Sequence, residues 1–502
     1  MTVTVPGPAR DHGLVDIAII GGGINGAGIA RDAAGRGLRV LLCEKDDFAE
    51  GTSSRSGKLV HGGLRYLEYY EFRLVREALI EREVLLASAP HIIWPMRFVL
   101  PHSPEQRSAW LIRTGLFLYD HLGGRKRLAA SRGLDLSHAP EGAPLRAEFR
   151  RAFEYSDCWV DDARLVILNL IDAARNGATI LPRTRAVQAR REDGMWLLEV
   201  QSDDGRTQVV RSRALVNAAG PWVRDVLQGI VGLNSAHNVR LVKGSHIVVP
   251  KFWSGPQAYL LQNADGRVIF VNPYEDHLAL IGTTDIPYRG KAEDVTIDKG
   301  ETDYLLQVLG RYFRTPPQES EIVHAFSGVR PLYDDSAENP SAVTRDYVFE
   351  VHGAHDAPPL LSIFGGKITT YRKLAEQALQ RLVPWFPAMS SAWTADRPLP
   401  GGDIGGSFDD FLGGLARDYP DLPRRLIHHY ARLYGTRARD LLGSTRIAAD
   451  LGRHFGGDFY EREANWLRET EWARRAADFL DRRTKHGLHL TPAQRDAFES
   501  CI

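Results

Sequence analysis

The chain has 502 residues, more than one ordinary hydrophobic core accommodates, so two or more domains are expected. Lys plus Arg and Asp plus Glu each total 63 and 43% of residues are hydrophobic, an ordinary globular composition whose zero formal charge argues against a general nucleic-acid binder. Cys43, Cys158 and Cys501 are scattered, with no CxxC and no metal-ligand spacing; this argues against a disulfide framework or a metal site and fits a reducing compartment.

Residues 1–13 hold Pro6, Gly7 and Pro8 without an apolar core, and read as a loose tail rather than a secretion signal. No run of about 18 apolar residues suits a transmembrane helix. Residues 15–20 are apolar and β-branched and stop at Gly21-Gly22-Gly23; Ala and Ile then recur at helical spacing until Gly35 and Gly37, and residues 38–43 form a second buried strand. Gly21, Gly23 and Gly26 have dinucleotide-binding spacing. The first permits a tight turn, the second lets the backbone reach a pyrophosphate, and the third lets the helix lie close to the strand. The pyrophosphate would rest on the helix N-terminus at Ile24 and Asn25, where unpaired N–H groups and the dipole favour an anion. Glu44 lies at about the 20-residue offset from which an acidic side chain accepts hydrogen bonds from a ribose.

Residues 52–66, TSSRSGKLVHGGLRY, are dense in hydroxyls, glycines and basic groups, and suit a segment passing beneath a cofactor ring, where Gly62 and Gly63 permit close approach. Residues 68–87 predict a charged helix ending before Pro90. Residues 110–119, WLIRTGLFLY, followed by Arg125, Lys126 and Arg127, fit either an interfacial membrane helix or a core helix with a basic cap, and composition favours the core. Residues 163–174 form an apolar-periodic helix capped by Asp161 or Asp162, a structural role for that acidic pair. Residues 178–190 and 196–200 alternate, and the buried strand from 214 breaks into Ala218, Ala219 and Gly220 before Trp222, a second backbone approach to the dinucleotide. From 240 to about 347, short β-rich segments separated by turn residues predict an antiparallel sheet, with His246, Thr283, Thr284, Asp285, Arg330 and Arg345 at strand ends. Residues 361–374 read as strand, Gly365-Gly366 turn, and a helix starting after Gly366, the third return. Residues 394–407 are the clearest linker, and 409–502 are helical in pattern, with arginines expected on a solvated face.

Three returns to one cofactor, with antiparallel strands between them, resemble the FAD-dependent oxidoreductases built like D-amino-acid oxidase. Within that group IGGGINGAGIARDAAGRGL, KLVHGGLRYLE, EYSDCWVDDARL, KGSHIVVP, GTTD, SGVRPL, TRDY and FGGKITTYRKLAE are similar to segments of the aerobic, membrane-associated glycerol-3-phosphate dehydrogenases, over practically the whole chain. The resemblance implies an α/β fold: a Rossmann-like FAD-binding domain with an interleaved antiparallel-sheet substrate domain, plus a C-terminal all-helical domain. The boundaries expected are 14–388 for the oxidoreductase domain, 389–407 for a linker and 408–502 for the helical domain. FAD-binding parts are expected at about 14–90, 150–225 and 345–388, and substrate-domain parts at about 91–149 and 226–344.

The resemblance also implies oxidation of sn-glycerol 3-phosphate to dihydroxyacetone phosphate, with hydride passing to FAD N5 and electrons on to ubiquinone or menaquinone. The protein would then sit in the cytoplasm, held peripherally on the anionic cytoplasmic face of the inner membrane; a homodimer is compatible and no metal is called for. FAD contacts are expected from Gly21, Gly23, Ile24, Asn25, Gly26, Glu44, Lys45, Thr52, Ser53, Ser56, Lys58, His61, Gly62, Gly63, Val187, Ala218, Gly220, Trp222, Gly365, Gly366, Lys367, Ile368 and Thr369. A phosphate dianion calls for guanidinium and ammonium groups. Arg65, Tyr66 and Arg345 are expected on the phosphate, Thr283 and Thr284 beside the substrate, and Arg330 and Lys367 at C2 and its oxygen. His246 is the preferred proton acceptor because imidazole titrates near working pH; Lys367 is the rival if neighbouring cations depress its pKa. A glycerol-3-phosphate oxidase using oxygen, an amino-acid oxidase and a non-catalytic flavin-binding interaction protein stay open as alternatives.

Overall fold

Leu14–Ile20 and Val40–Cys43 pair in parallel, Ile17 opposite Val40 and Ile20 opposite Cys43, and both are buried from Val15 onward. Strands covered on both faces read as unbroken apolar runs rather than alternating ones. The computed structural model that contains them describes residues 13–103, 108–235, 237–263, 265–334, 346–353 and 357–502. Their sheet has eight strands, in the order Val348–His352, Leu360–Phe364, Thr207–Asn217, Leu14–Ile20, Val40–Cys43 and Thr179–Leu181, with the hairpin Thr184–Glu192/Met195–Ser202 pairing onto Thr207–Asn217. Helices Ile24–Gly35, Asp162–Arg175 and Tyr371–Leu382 lie together against this sheet. Asp161 caps the second of them by accepting the Arg164 N–H at 3.1 Å. Asp162 turns inward instead, and accepts from Lys58 Nζ and Ser56 Oγ, both at 2.7 Å.

The second sheet has ten strands, and its central run is Val239–Pro250, Leu278–Gly282, Val268–Tyr274, Ala258–Gln262, Ile93–His102, Arg151–Val160 and Leu59–Val60. It is antiparallel except where Ala258 and Tyr259 pair in parallel with Phe98 and Val99. Arg151–Val160 and Leu59–Val60 therefore belong to this sheet and not to the dinucleotide half, where the sequence division placed them. The strand is buried without alternation after Arg151, so no period in it records which sheet it joins.

Three expectations change. The segment from 68 begins as the 3-10 turn Leu64–Tyr69, breaks at Tyr70 with φ +61°, and becomes helical only over Phe72–Ser88. The helix Ala109–Leu122 is not a core helix: only Leu116 and Tyr119 are buried, while Trp110 is 70% and Phe117 60% exposed. The sequence between 389 and 407 is no free tether, because Leu399 is buried with its N–H on Ser88 O at 2.8 Å, and Trp393 lies where a Cβ on Gly35 would be 2.0 Å from its ring.

Beyond it the helices Phe408–Asp418, Arg424–Tyr434 and Glu461–Thr470 share one apolar core with a two-stranded hairpin, His454–Gly456/Phe459–Tyr460, so the domain is helical but not wholly so. Its arginines are not all a solvated face. Arg437 and Arg483 are buried and paired, with Glu471 and Asp47 respectively, because a buried guanidinium persists only with a partner.

At the centre of this domain buried Glu463 accepts from His429 and His486, each at 3.0 Å, and from Tyr434 at 2.7 Å. Burial opposes its charge, yet the two histidines hold its carboxyl well below the usual range. Burial keeps His486 below its ordinary value, whereas for His429 the attraction of Glu463 overcomes burial and raises it. A depressed carboxyl stabilises the fold above about pH 4.5, and a histidine kept neutral costs stability once the unfolded chain protonates below about pH 6.5. Raised His429 acts oppositely, its contribution being lost as pH rises through its folded value. The melting temperature should therefore fall on acidification below about pH 6.5; Glu463→Gln should flatten the part of that limb below about pH 4.5, where the carboxyl titrates, and steepen the part above it, because both buried histidines lose the charge that favours their protonation. Identical acid limbs in parent and variant would remove the triad from the stability account.

Candidate active site

One elongated cavity of about 380 Å³ runs between the sheets and is lined by all three cofactor-facing segments. At one end the Glu44 carboxylate accepts the N–H of Gly22 at 2.7 Å and of Asp46 at 2.9 Å; burial pushes its pKa up against these bonds. Lys45 reaches over the Trp222 ring at 4.3 Å, and Thr184 and Arg185 complete this end. In the middle, a Cβ on Gly26 would fall 2.0 Å from Gly21 O, and one on Gly21 2.5 Å from Ala218 O, so the turn closes only with glycines. The first amide of the following helix, Ile24 N–H, donates to Ser53 Oγ at 3.0 Å. Asn25 Nδ2 donates to Gly365 O at 3.1 Å, tying the first return to the third. A glycine cradle, a helix N-terminus and a carboxylate at the ribose end are the features that fit a dinucleotide, and all face one space.

Further cationic groups line the same cavity. Lys367 Nζ lies 4.0 Å from the Tyr66 ring centroid, a cation–π contact, with Arg65 lining the same wall. Arg330 Nη2 donates to Thr283 Oγ1 at 2.7 Å, and its Nη1 bonds Asp285. The His61 N–H donates to Thr369 Oγ1 at 3.2 Å. His246 is buried, stacked on Phe326 at 5.0 Å, with no hydrogen-bond partner for Nδ1 among the described residues. Burial, then the charges of Arg330 and Lys58, push its pKa down to about 3, so the imidazole is neutral at working pH.

Gly21, Gly23, Ile24, Asn25, Glu44, Lys45, Thr52, Ser53, Ser56, His61, Gly63, Ala218, Gly220, Trp222, Gly365, Gly366, Lys367, Ile368 and Thr369 line the cavity, as do Arg65, Tyr66, His246, Thr283 and Arg330. Others named from the sequence do not. Gly26 serves packing only, and Lys58 is spent on buried Asp162. Gly62 donates its N–H to Tyr119 Oη at 2.7 Å and faces Leu79. Val187 is exposed and Ala186 faces the cavity instead, since the pairing register shifts between Ala186 and Gln188. Thr284 is wholly buried, accepting from Ser245 N–H and bonding Glu301. Arg345 lies outside the described residues.

The third helix spans Tyr371–Leu382 and does not start after Gly366; residues 367–370 form a turn closed by Thr370 N–H on Lys367 O at 3.2 Å. Asp285, quoted within GTTD without a role, is the partner that fixes Arg330. Arg55, within the segment 52–66, lines the cavity, as do Thr184 and Arg185, which the sequence does not single out; Arg185 precedes Ala186 on the bulged strand, where alternation gives no signal.

Residues 16–372 match the family described as FAD dependent oxidoreductase, and residues 392–502 match the C-terminal domain of alpha-glycerophosphate oxidase. The chain is 62% identical over 485 residues to the D-erythritol 1-phosphate dehydrogenase of Brucella abortus (strain 2308), covering 96% of each chain. It is 52% identical over 481 residues to the aerobic glycerol-3-phosphate dehydrogenase of Escherichia coli (strain K12), covering 96% of this chain and 95% of the relative. Its fold superposes on the crystal structure of the glycerol-3-phosphate dehydrogenase from Bacillus halodurans complexed with FAD, with a TM-score of 0.75, 26% identity, and coverage of 97% of this chain and 93% of that one.

Proposed function

The chain belongs to the FAD dependent oxidoreductase family, and on that premise we propose that it oxidises a secondary alcohol of a phosphorylated polyol. The observation that supports this reading is that Arg65, Arg330 and Lys367 all line the same cavity as His246. Bound FAD supplies the hydride acceptor. Arg65 and Tyr66 hold the phosphate, since a guanidinium fork matches phosphate oxygens. Arg330, aimed by Asp285 and Thr283, faces the alcohol oxygen and stabilises negative charge there as hydride leaves.

In this reading neutral His246 accepts the hydroxyl proton. Its depressed pKa is a disadvantage for a base, one that an anionic substrate entering among the cations would lessen. His246→Ala should slow flavin bleaching in a single anaerobic turnover by at least about tenfold; an unchanged rate would shift the role to Lys367.

Two substrates suit the site. sn-Glycerol 3-phosphate, oxidised to dihydroxyacetone phosphate, has a hydroxyl next to its phosphomethyl carbon. D-Erythritol 1-phosphate has the same grouping and one further CHOH unit, and the 62% against 52% identities favour it. Anaerobic titration of the yellow protein with both phosphates, and with erythritol and glycerol, tests the proposal. The phosphates should bleach the flavin and the free polyols should not. Bleaching by a free polyol as efficiently as by its phosphate would end the proposal, and the ratio of kcat/KM between the phosphates identifies the substrate.

The onward acceptor in this reading is a membrane quinone, ubiquinone or menaquinone, rather than oxygen; quinone-analogue reduction without peroxide distinguishes the two. No helix among the described residues is long and apolar enough to cross a membrane. The outward Trp110, Leu111, Phe117 and Leu118 supply an interfacial face instead, next to the basic segment at 125–127. Trp110→Glu together with Phe117→Glu should abolish sedimentation with anionic vesicles, and unaltered sedimentation would place the contact elsewhere.

A further inference from the structure

Residues 45–50, the loop that supports Glu44, take most of their anchors from the far end of the chain. Asp47 is 1% exposed, and its carboxylate accepts from Arg483 Nη1 and Nη2 at 2.5 and 2.8 Å and from Arg482 Nε at 2.5 Å. Arg483 is wholly buried and also donates from Nε and Nη2 to Glu471 O, at 3.2 and 2.8 Å. Phe48 meets Trp472 edge-on at 5.5 Å, and its opposite side lies where a Cβ on Gly22 would be 2.6 Å away. Asp46 is held at both ends: its N–H donates to Glu44 Oε1, and its C=O accepts the Arg183 N–H at 2.9 Å. The Arg183 guanidinium is in turn bonded to Asp478, at 2.7 and 2.8 Å. The supports of Glu44 thus lead, through Asp47, Phe48 and Arg183, to residues 472–483 of the C-terminal domain.

We infer that this C-terminal segment is a positioning element for the adenosine half of FAD: Arg482 and Arg483 fix Asp47, and the loop so fixed keeps the Glu44 carboxylate in place for the ribose. The inference rests on the cofactor and not on which polyol phosphate is oxidised. Asp47 and Asp478, both buried, face Arg183, Arg482 and Arg483, so removing one guanidinium leaves a buried carboxylate under-compensated and frees the loop to shift toward solvent.

Arg482→Gln tests it, since at 11% side-chain exposure Arg482 is the more accessible of the pair. Apoprotein titrated with FAD, by flavin fluorescence, and with ADP, which carries only the adenosine half, should show both dissociation constants raised at least about tenfold. Arg482→Lys, which keeps the charge but not the fork, should recover part of that loss for both ligands. Glu463→Gln, in the core of the same domain and touching no part of the loop, should lower the melting temperature and leave both constants unchanged. Constants within twofold of the parent in folded Arg482→Gln, or equal weakening in Glu463→Gln, would overturn the inference. Should Arg482→Gln fail to fold, Trp472→Leu takes its place with the same two titrations and the same thresholds.

Discussion

Gly26→Val is expected to give protein that emerges colourless from purification. A Cβ at this position would lie 2.0 Å from Gly21 O and 3.4 Å from Ala218 Cβ. The first contact is with backbone, which no rotamer change relieves, so the helix Ile24–Gly35 must lift away from the strand Leu14–Ile20. That movement opens the turn at Gly21–Gly23 and takes the helix N-terminus away from the pyrophosphate. Overpacking alone costs about 1–3 kcal/mol, and here it falls on the feature that creates the anion site. Gly115→Ala is the control, because nothing lies within 4 Å of a Cβ there and the residue is helical; it should stay yellow with parental stability or better, as alanine exceeds glycine in helix propensity. The ratio of visible flavin to protein ultraviolet absorbance reads both. A Gly26→Val variant with a full complement of FAD would mean the cofactor is held by something other than this turn.

Arg330→Met should lower kcat/KM for the phosphorylated polyol by about 10² to 10³ or more while FAD stays bound. Two losses combine. The cation proposed to face the alcohol oxygen disappears, and Asp285, whose side chain is only 7% exposed, loses the guanidinium that Arg330 brings to it. Removing one donor aimed at the negative charge that develops on the oxygen typically costs about 10² to 10³ in rate, from which the fold-change follows. Arg330→Lys should restore only part of it, because one ammonium cannot reach Thr283 and Asp285 in the bidentate manner of the fork. Single-turnover bleaching under anaerobic conditions separates this from onward electron transfer. A loss below tenfold would remove Arg330 from the reacting end of the site.

The dinucleotide turn was legible in the sequence because its glycines are demanded by contacts a few residues apart. Gly21 and Gly26 touch each other, and the spacing records that. The three returns were legible for a related reason, each being an apolar strand ending in small residues. Features set by partners far along the chain were not. Val187 and Ala186 exchanged places because a bulge shifts the register of their strand, which period-two reading cannot anticipate. Thr283 and Thr284 are adjacent and chemically identical, and bonds to Ser245 N–H and to Glu301, 39 and 17 residues away, hold Thr284 in the interior. Lys58 stands among the hydroxyls of the ring-facing segment yet is consumed by Asp162, 104 positions later. The tail arginines read as a solvated face because their acidic partners are on other segments: Asp47 lies 436 residues before Arg483.

The ladder at the heart of the first sheet sets a timetable for synthesis. Leu14–Ile20 lies between Val40–Cys43 on one side and Thr207–Asn217 on the other, and that strand in turn awaits Leu360–Phe364. A nascent chain emerging N-terminus first therefore carries Leu14–Ile20 with one edge unmatched until residue 217 has left the ribosome, and the end of Thr207–Asn217 beyond its pairing with Met195–Ser202 unmatched until residue 364. Pairings of such sequence separation form slowly, and bare apolar edges invite association in the meantime. Overproduction should accordingly depend on translation speed and on chaperone supply, and fragments cut before residue 364 should precipitate rather than fold.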